Sequence, residues 1–286
     1  MTNKKLQKRL AKEFLKLHYD KKVLLLPNAW DVLSAKMYEK LGFKAIGTTS
    51  AGIAATLGHP DGQIMSLEEN IGVVKRIVDS TSLPVSVDIE SGYSATVEGA
   101  VKAAEVALDI GAVGINLEDS TGNDDNPFFK ISEMVERIKE IRSMADSRAI
   151  PLVVNLRTDV YMSGKGEHSE KFKQTVERGN IYRESGADCI FVTDIGTLNE
   201  QIISEFVKEI NAPLNIIAGI SIPPIQKLQE IGVARLSFGP RPMRAAYAFL
   251  KRIMTEILIE GTYSNMIKDT LSYSEVNSLL KKMYEY

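Results

Sequence analysis

Eight short runs rich in apolar and β-branched residues recur along the chain, separated by longer stretches of helical periodicity. They are Val23–Pro27, Ala45–Thr49, Val85–Ile89, Gly114–Glu118, Leu152–Leu156, Cys189–Thr193, Asn215–Ala218 and Ala234–Phe238. Near-continuous apolar runs of this length are expected of parallel strands covered on both faces. The stretches between them follow i, i+3, i+4 patterns, such as Val97, Ala100, Val101, Ala104 and Leu108, or Ile131, Met134, Val135, Ile138 and Ile141. Eight strands alternating with helices predict an α/β fold, a single (β/α)8 TIM barrel. The length of 286 residues suits one such barrel.

A repeated punctuation supports this reading. Helical stretches end at Gly42, Gly111, Gly186 and Gly232, each just before the next strand. Glycine takes the left-handed conformation that stops a helix and turns the chain back. Residues 1–20 read as an N-terminal helix, and residues 262–286 as a C-terminal helical extension. No Pro-, Gly- or Ser-rich linker divides the chain, so 1–286 reads as one domain.

Charge and cysteine usage exclude several classes. Lys and Arg total 35 against 37 Asp and Glu, a net charge of −2, which gives no footprint for nucleic acid or a membrane. Lys4, Lys5, Lys8, Arg9 and Lys12 read as the solvated face of the first helix. The single cysteine, Cys189, lies inside an apolar run and reads as an inert core residue. No apolar run approaches the ~20 residues that span a bilayer, so the cytoplasm is the expected location.

In such barrels, chemistry sits at the C-terminal ends of the strands. Asp88 and Glu90 are two residues apart, a spacing that on a strand sends both side chains the same way. Glu118 stands at the equivalent level of the next strand. Three converging carboxylates repel unless a cation lies between them, and oxygen-only donors favour Mg2+, with Mn2+ as a second candidate. The three histidines, His18, His59 and His168, stand away from strand ends, so zinc is not expected. Arg157 is placed to neutralise a substrate carboxylate, and the turn Thr49–Gly52 can offer backbone N–H groups to an anion. Asp119 and Asp159 read as N-caps of the helices that follow. Thr193 and Asp194 end the sixth strand, and Arg241 follows the eighth.

At this point a family resemblance emerges. The stretch PNAWDVLSAKMYEKLGFKAIGTTSAGIAATLGHPDG, with VDIESGY, GINLEDS, VVNLRTD and FGPRPMRAA, resembles the isocitrate lyase/phosphoenolpyruvate mutase superfamily over roughly residues 23–255. The resemblance implies Asp88 as the principal Mg2+-side carboxylate, with Glu90 and Glu118 contributing directly or through water. It also implies Asp61 beside the reacting atoms. Main-chain N–H groups of Thr49, Ser50 and Ala51 would hold one substrate carboxylate, Arg157 would bind the other end, and Asn116 and Thr193 would face the substrate. The loop after the fourth strand reads STGNDDNPFFK, without the Cys and His that the lyases carry there. Asn116 stands where lyases tend to have His, and Glu90 where they have Asp. The Ser120–Phe128 loop is expected to close over the pocket.

The implied reaction is an Mg2+-dependent enolate-forming step on a small α-keto or hydroxy dicarboxylic acid, by a C–C lyase or decarboxylase. A phosphonomutase-like isomerase making or breaking a C–P bond, and a barrel that only binds a metabolite, are the alternatives. The partner is thus a small carboxylate or phosphonate. The superfamily also implies a homodimer or homotetramer with exchange of the C-terminal helices.

Overall fold

A computed structural model describes residues 4–163, 166–193, 196–268 and 270–281. In chain order the elements are α1 (Lys4–Leu17), β1 (Leu24–Leu26), β2 (Asn28–Ala29), α2 (Val32–Lys40), β3 (Ile46–Thr48), α3 (Ser50–Leu57) and α4 (Leu67–Ser80). Then come β4 (Val85–Asp88), α5 (Val97–Asp109), β5 (Gly114–Glu118), α6 (Ile131–Ser147), β6 (Val153–Thr158), α7 (His168–Glu184) and β7 (Cys189–Val192). The chain ends with α8 (Glu200–Glu209), β8 (Leu214–Ile217), α9 (Ile225–Ile231), β9 (Arg235–Ser237), α10 (Arg241–Glu260), α11 (Ser264–Lys268) and α12 (Tyr273–Leu280).

All strand pairs are parallel, in the order β1-β9-β8-β7-β6-β5-β4-β3-β2. Nine strands occupy eight barrel positions because Pro27 interrupts the first run. Proline has no N–H to give to the ladder, so the run splits into β1, paired with β9, and β2, paired with β3. The Pro27 carbonyl still accepts from Gly47 N at 2.9 Å, which nearly closes the (β/α)8 barrel.

The strands depart from uniform apolarity. Ile115, Leu117, Val154, Leu156, Ile190, Val192, Ile216 and Leu236 are buried in the apolar core. The alternate positions (Asn116, Glu118, Arg157, Phe191, Arg235 and Ser237 among them) line the barrel interior. Helices cover one face, while the inward face is free to be polar, so period-two alternation is visible inside runs that read as apolar. Gly42, Gly111, Gly186 and Gly232 have φ of 88°, 101°, 121° and 97°, the left-handed values their positions demand.

The N-terminal helix closes the lower mouth of the barrel. Gln7 Nε2 donates to the Leu108 and Ala112 carbonyls at 2.7 and 2.9 Å, tying α1 to the end of α5. The Phe14 ring seats against Gly114, where a Cβ would lie 2.7 Å from it, so any larger residue would expel the ring. One turn on, His18 is buried edge-on to Phe14 and bonds the Phe14 carbonyl at 2.9 Å through Nδ1. The lysines and the arginine of α1 face solvent. At the other terminus the barrel is followed by α11 and α12, with α12 lying against α2 of the same chain.

His18 carries a pH dependence. Burial, with the Arg235 charge nearby, lowers its pKa to about 3. An unfolded histidine titrates near 6.5. Below that pH only the unfolded chain takes up the proton, so stability is full above about 6.5 and falls as pH drops toward 3. Between pH 6.5 and 5 the loss is about 2 kcal/mol. Urea unfolding of the wild type and His18→Leu at both values is expected to show the wild type losing this much more than the variant, the other titrating groups being common to both. Equal losses in both would remove His18 as the cause.

Candidate active site

The upper ends of the strands open into a cavity of ≈ 490 Å3. Asp61, Asp88, Glu90, Glu118, Arg157 and Asp159 all face it. Its best-held group is Asp88, the last residue of β4. Ser50 N and Ser50 Oγ donate to Asp88 Oδ2 at 3.1 and 2.7 Å, and Asn116 Nδ2 donates to Oδ1 at 3.0 Å. Behind it, Asn155 Nδ2 donates to Asn116 Oδ1 at 2.8 Å, so two asparagines on adjacent strands orient the carboxylate in relay. Thr48 Oγ1 and Asn70 Nδ2 fix the Asp88 backbone at 2.9 and 3.1 Å.

Glu90 reaches the cavity by a different route from the one its spacing suggests. The strand ends at Asp88, and Glu90 sits in a turn with φ of 49°. The chain therefore reverses at Glu90, and the two-residue strand alternation does not apply there. Gln63 and Tyr93, at φ of 60° and 54°, flank the same turn. Gln63 spans it, donating to Ser91 Oγ at 2.8 Å and accepting from Tyr93 N at 3.0 Å. Left-handed non-glycine residues are sparse and gather where surrounding structure holds them, and three stand together here. Burial, then Asp88 and Asp61, push the Glu90 carboxyl up to about 8.

Arg157, on β6, is already partnered. It bonds Glu118 through Nη1, and Asp159 through Nε at 2.5 Å and Nη2 at 2.9 Å. Burial opposes its charge, but Glu118 and Asp159 outweigh that and raise its pKa. Burial raises the Glu118 carboxyl against the lowering pull of Arg157. Thr193 Oγ1 donates to Asp159 Oδ1 at 2.7 Å. Thr193 thus helps fix Asp159 while facing the cavity; Asp194, beside it, lies outside the described residues.

The Thr49–Ala51 turn is the N-terminus of α3. Thr49 N donates to the Ala29 carbonyl at 3.1 Å, and Ser50 N is committed to Asp88. Only the Ala51 N–H of these three has no hydrogen-bond partner among the described residues, so this turn can present one main-chain donor rather than three. Asp61 stands at the mouth, its Oδ1 accepting from Gly62 N at 3.0 Å. Burial and the charge on Asp88 raise its pKa.

The two aspartates read as helix caps are cross-strand anchors instead. Asp119 is fully buried and accepts from Arg178 Nη1 and the Tyr182 hydroxyl, both at 3.1 Å, and from Asp159 N at 3.0 Å. The caps of α6 and α7 are Lys130 and Glu167. The Ser120–Phe128 loop folds over the cavity as a short hairpin, with an antiparallel bridge at its base and Thr121 N donating to the Pro127 carbonyl at 2.9 Å. Cys189 is fully buried, and burial pushes its thiol up to about 12, in keeping with an inert thiol. His59 lies in a loop beside Glu69 at 3.1 Å, away from the cavity.

The donors around the cavity are oxygens and include more carboxylates than the nearby cations balance. Among the described residues no three acidic, His or Cys groups gather closely enough to cage an ion by themselves. That set fits a hard divalent cation held by few direct carboxylates and several waters, the habit of Mg2+. Sequence reading missed Arg235, which lies in the cavity below Asp88; its signal was a single charge inside the run ARLSF.

A parallel barrel with a pocket of charged groups at the C-terminal ends of its strands is the architecture of the (β/α)8-barrel enzymes. The chain belongs to one family of them: residues 14–258 match the model for phosphoenolpyruvate phosphomutase. An uncharacterized protein of Mycobacterium tuberculosis is 34% identical over 81% of this chain and 83% of its own length. The 2-methylisocitrate lyase of Bacillus subtilis (strain 168) is 30% identical over 98% of this chain and 92% of that protein. Among solved structures, a lyase/mutase-type protein of Burkholderia cenocepacia J2315 superposes with a TM-score of 0.89 at 29% identity, covering 96% of each chain. The chain is therefore an enzyme of the phosphoenolpyruvate mutase/isocitrate lyase superfamily. Among the described residues no helix is long and apolar enough to cross a membrane.

Proposed function

We propose that this enzyme breaks a C–C bond in a small α-keto or hydroxy dicarboxylic acid through an enolate, as a lyase or decarboxylase, with Mg2+ as its cofactor. The observation that carries the reading is Asp88, pinned by Ser50 and Asn116 at the centre of an acidic cavity with Glu90 and Glu118 beside it. Asp88 would hold the cation, with Glu90 and Glu118 acting directly or through water. When bound, Mg2+ supplies the positive charge that stabilises enolate formation.

The chain's own groups do the rest. Arg157, whose guanidinium keeps a face on the cavity while bonded to Glu118 and Asp159, orients the substrate carboxylate. Ala51 N–H, at the positive end of α3, holds the other end. Thr193 and Asn116 position their neighbours and touch the substrate from the floor. Asp61 stands at the mouth with Gly62 N on its Oδ1, which leaves Oδ2 open to relay a proton between a water and the enolate carbon. The Ser120–Phe128 hairpin excludes water during turnover. It has neither Cys nor His, so protonation by a loop residue of that kind is not available to it.

Pyruvate release from oxaloacetate, with Mg2+ and with EDTA, tests this. Turnover above the slow reaction of Mg2+ alone, lost in EDTA, is the expected result; none above that background sinks the decarboxylase reading. The match to a phosphomutase model favours one second reading, a phosphonomutase-like isomerase. Phosphorus NMR showing interconversion of C–P and O–P species would select it.

A homodimer or homotetramer is part of the proposal. α10 turns Tyr247, Leu250, Met254 and Leu258 to solvent along one helical face, and α11 and α12 follow it. Exchange of these C-terminal helices would cover the stripe. Light scattering after size exclusion is expected to give a multiple of 31.6 kDa, and a species of that mass alone would refute assembly.

A further inference from the structure

The cavity continues below the acidic floor, past Ser86, to Arg235. Arg235 is on β9, level with Asn215 of β8, and only 3% exposed. Its Nε and Nη1 have no hydrogen-bond partner, and no carboxylate pairs with it among the described residues. Asn215 is fully buried, with neither Nδ2 nor Oδ1 bonded. Ser86 Oγ, Asn155 Oδ1 and His18 Nε2, inside the same barrel, are also without partners among the described residues.

Such a set is not neutral. Buried polar groups almost always find partners, and a buried charge left alone is among the most costly features of a fold. Water can satisfy N–H and hydroxyl groups, but it cannot balance a guanidinium. The other interior arginine, Arg157, has two carboxylates. Arg235 feels the Asp88 charge through space but has no carboxylate bonded to its fork, whose planar shape suits a carboxylate-type anion. Burial lowers its pKa only to about 10, so it is charged at neutral pH.

We propose that Arg235, with Asn215 and Ser86, forms an anion subsite inside the barrel, beneath the acidic floor, that takes a planar carboxylate-type oxyanion. The occupant is either a small free anion or a carboxylate that the substrate sends down from the floor. The subsite stands whichever bond the enzyme breaks above it.

The test uses the full-length protein in EDTA, so that no metal contributes, with sodium formate as probe at constant ionic strength. A saturable rise in melting temperature is expected for the wild type and for Arg241→Met, which removes a cation at the mouth. In Arg235→Met the formate needed for half the effect should rise at least about tenfold, the loss of one bidentate charge-assisted contact. No saturable rise in the wild type, or an unchanged one in Arg235→Met, overturns the proposal. If Arg235→Met does not fold, a metal-free wild-type crystal grown from formate decides. A planar anion bonded to Arg235 Nε and Nη1 supports the subsite, and water alone there overturns it. Repeating the titration with Mg2+ and saturating oxalate identifies the source: competition means the substrate's own carboxylate, and simultaneous binding means a free anion.

Discussion

Asp88→Ala is expected to lower kcat/KM for the metal-dependent reaction by about a thousandfold, with the fold retained. The size follows from how much of the site converges on this carboxylate. Ser50 N, Ser50 Oγ and Asn116 Nδ2 all donate to it, and the Asn155–Asn116 relay aims it. On the proposed reading alanine removes the cation's principal anchor, while the freed donors face the cavity and can turn to water. Circular dichroism should match the wild type, and pyruvate release should fall to the metal-only background. A variant keeping full Mg2+-dependent turnover would end the assignment.

Arg157→Ala should damage the fold as well as the chemistry. Arg157 lies between Glu118 and Asp159, whose side chains are 9% and 4% exposed. Removing it leaves two buried carboxylates with no cation, a change that costs about 3–5 kcal/mol. That corresponds to a melting temperature lower by about 5–10 °C. The effect has a pH signature with a defined sign. Without the guanidinium the buried Glu118 carboxyl loses the pull that lowers it and stands further above its unfolded value. It therefore favours the folded state when protonated and loses that contribution as pH rises. The gap between wild type and variant should narrow from pH 8 to pH 5 in urea unfolding. A gap under 1 kcal/mol at pH 7 would mean that the carboxylates do not depend on Arg157.

Which parts of this were readable beforehand depends on how local their causes are. Strand positions and the four helix-ending glycines follow from patterns a few residues long, and they stand where the sequence predicts. So does the burial of Cys189. Asp61, Asp88, Glu90, Glu118, Asn116, Arg157 and Thr193 do meet around one cavity. The errors came from partners far along the chain. Asp119 had the spacing of a cap, but its partners Arg178 and Tyr182 lie 59 and 63 residues away. Ser50 N–H looked available for substrate because its bond to Asp88 spans 38 residues. A two-residue spacing cannot reveal that a strand stops between its members, as it does before Glu90. Arg235 was visible as a charge alternating with Ser237, yet the run around it read as core.

The seal made by Phe14 and His18 on the lower mouth has a consequence for traffic. A vessel with one opening serves arrivals and departures through the same neck. If the proposed cleavage takes place inside it, two fragments leave in file, the one nearer the rim first and the one lodged against the base last. Release order is then written into depth, and the last fragment to depart should be the one that competes with fresh substrate.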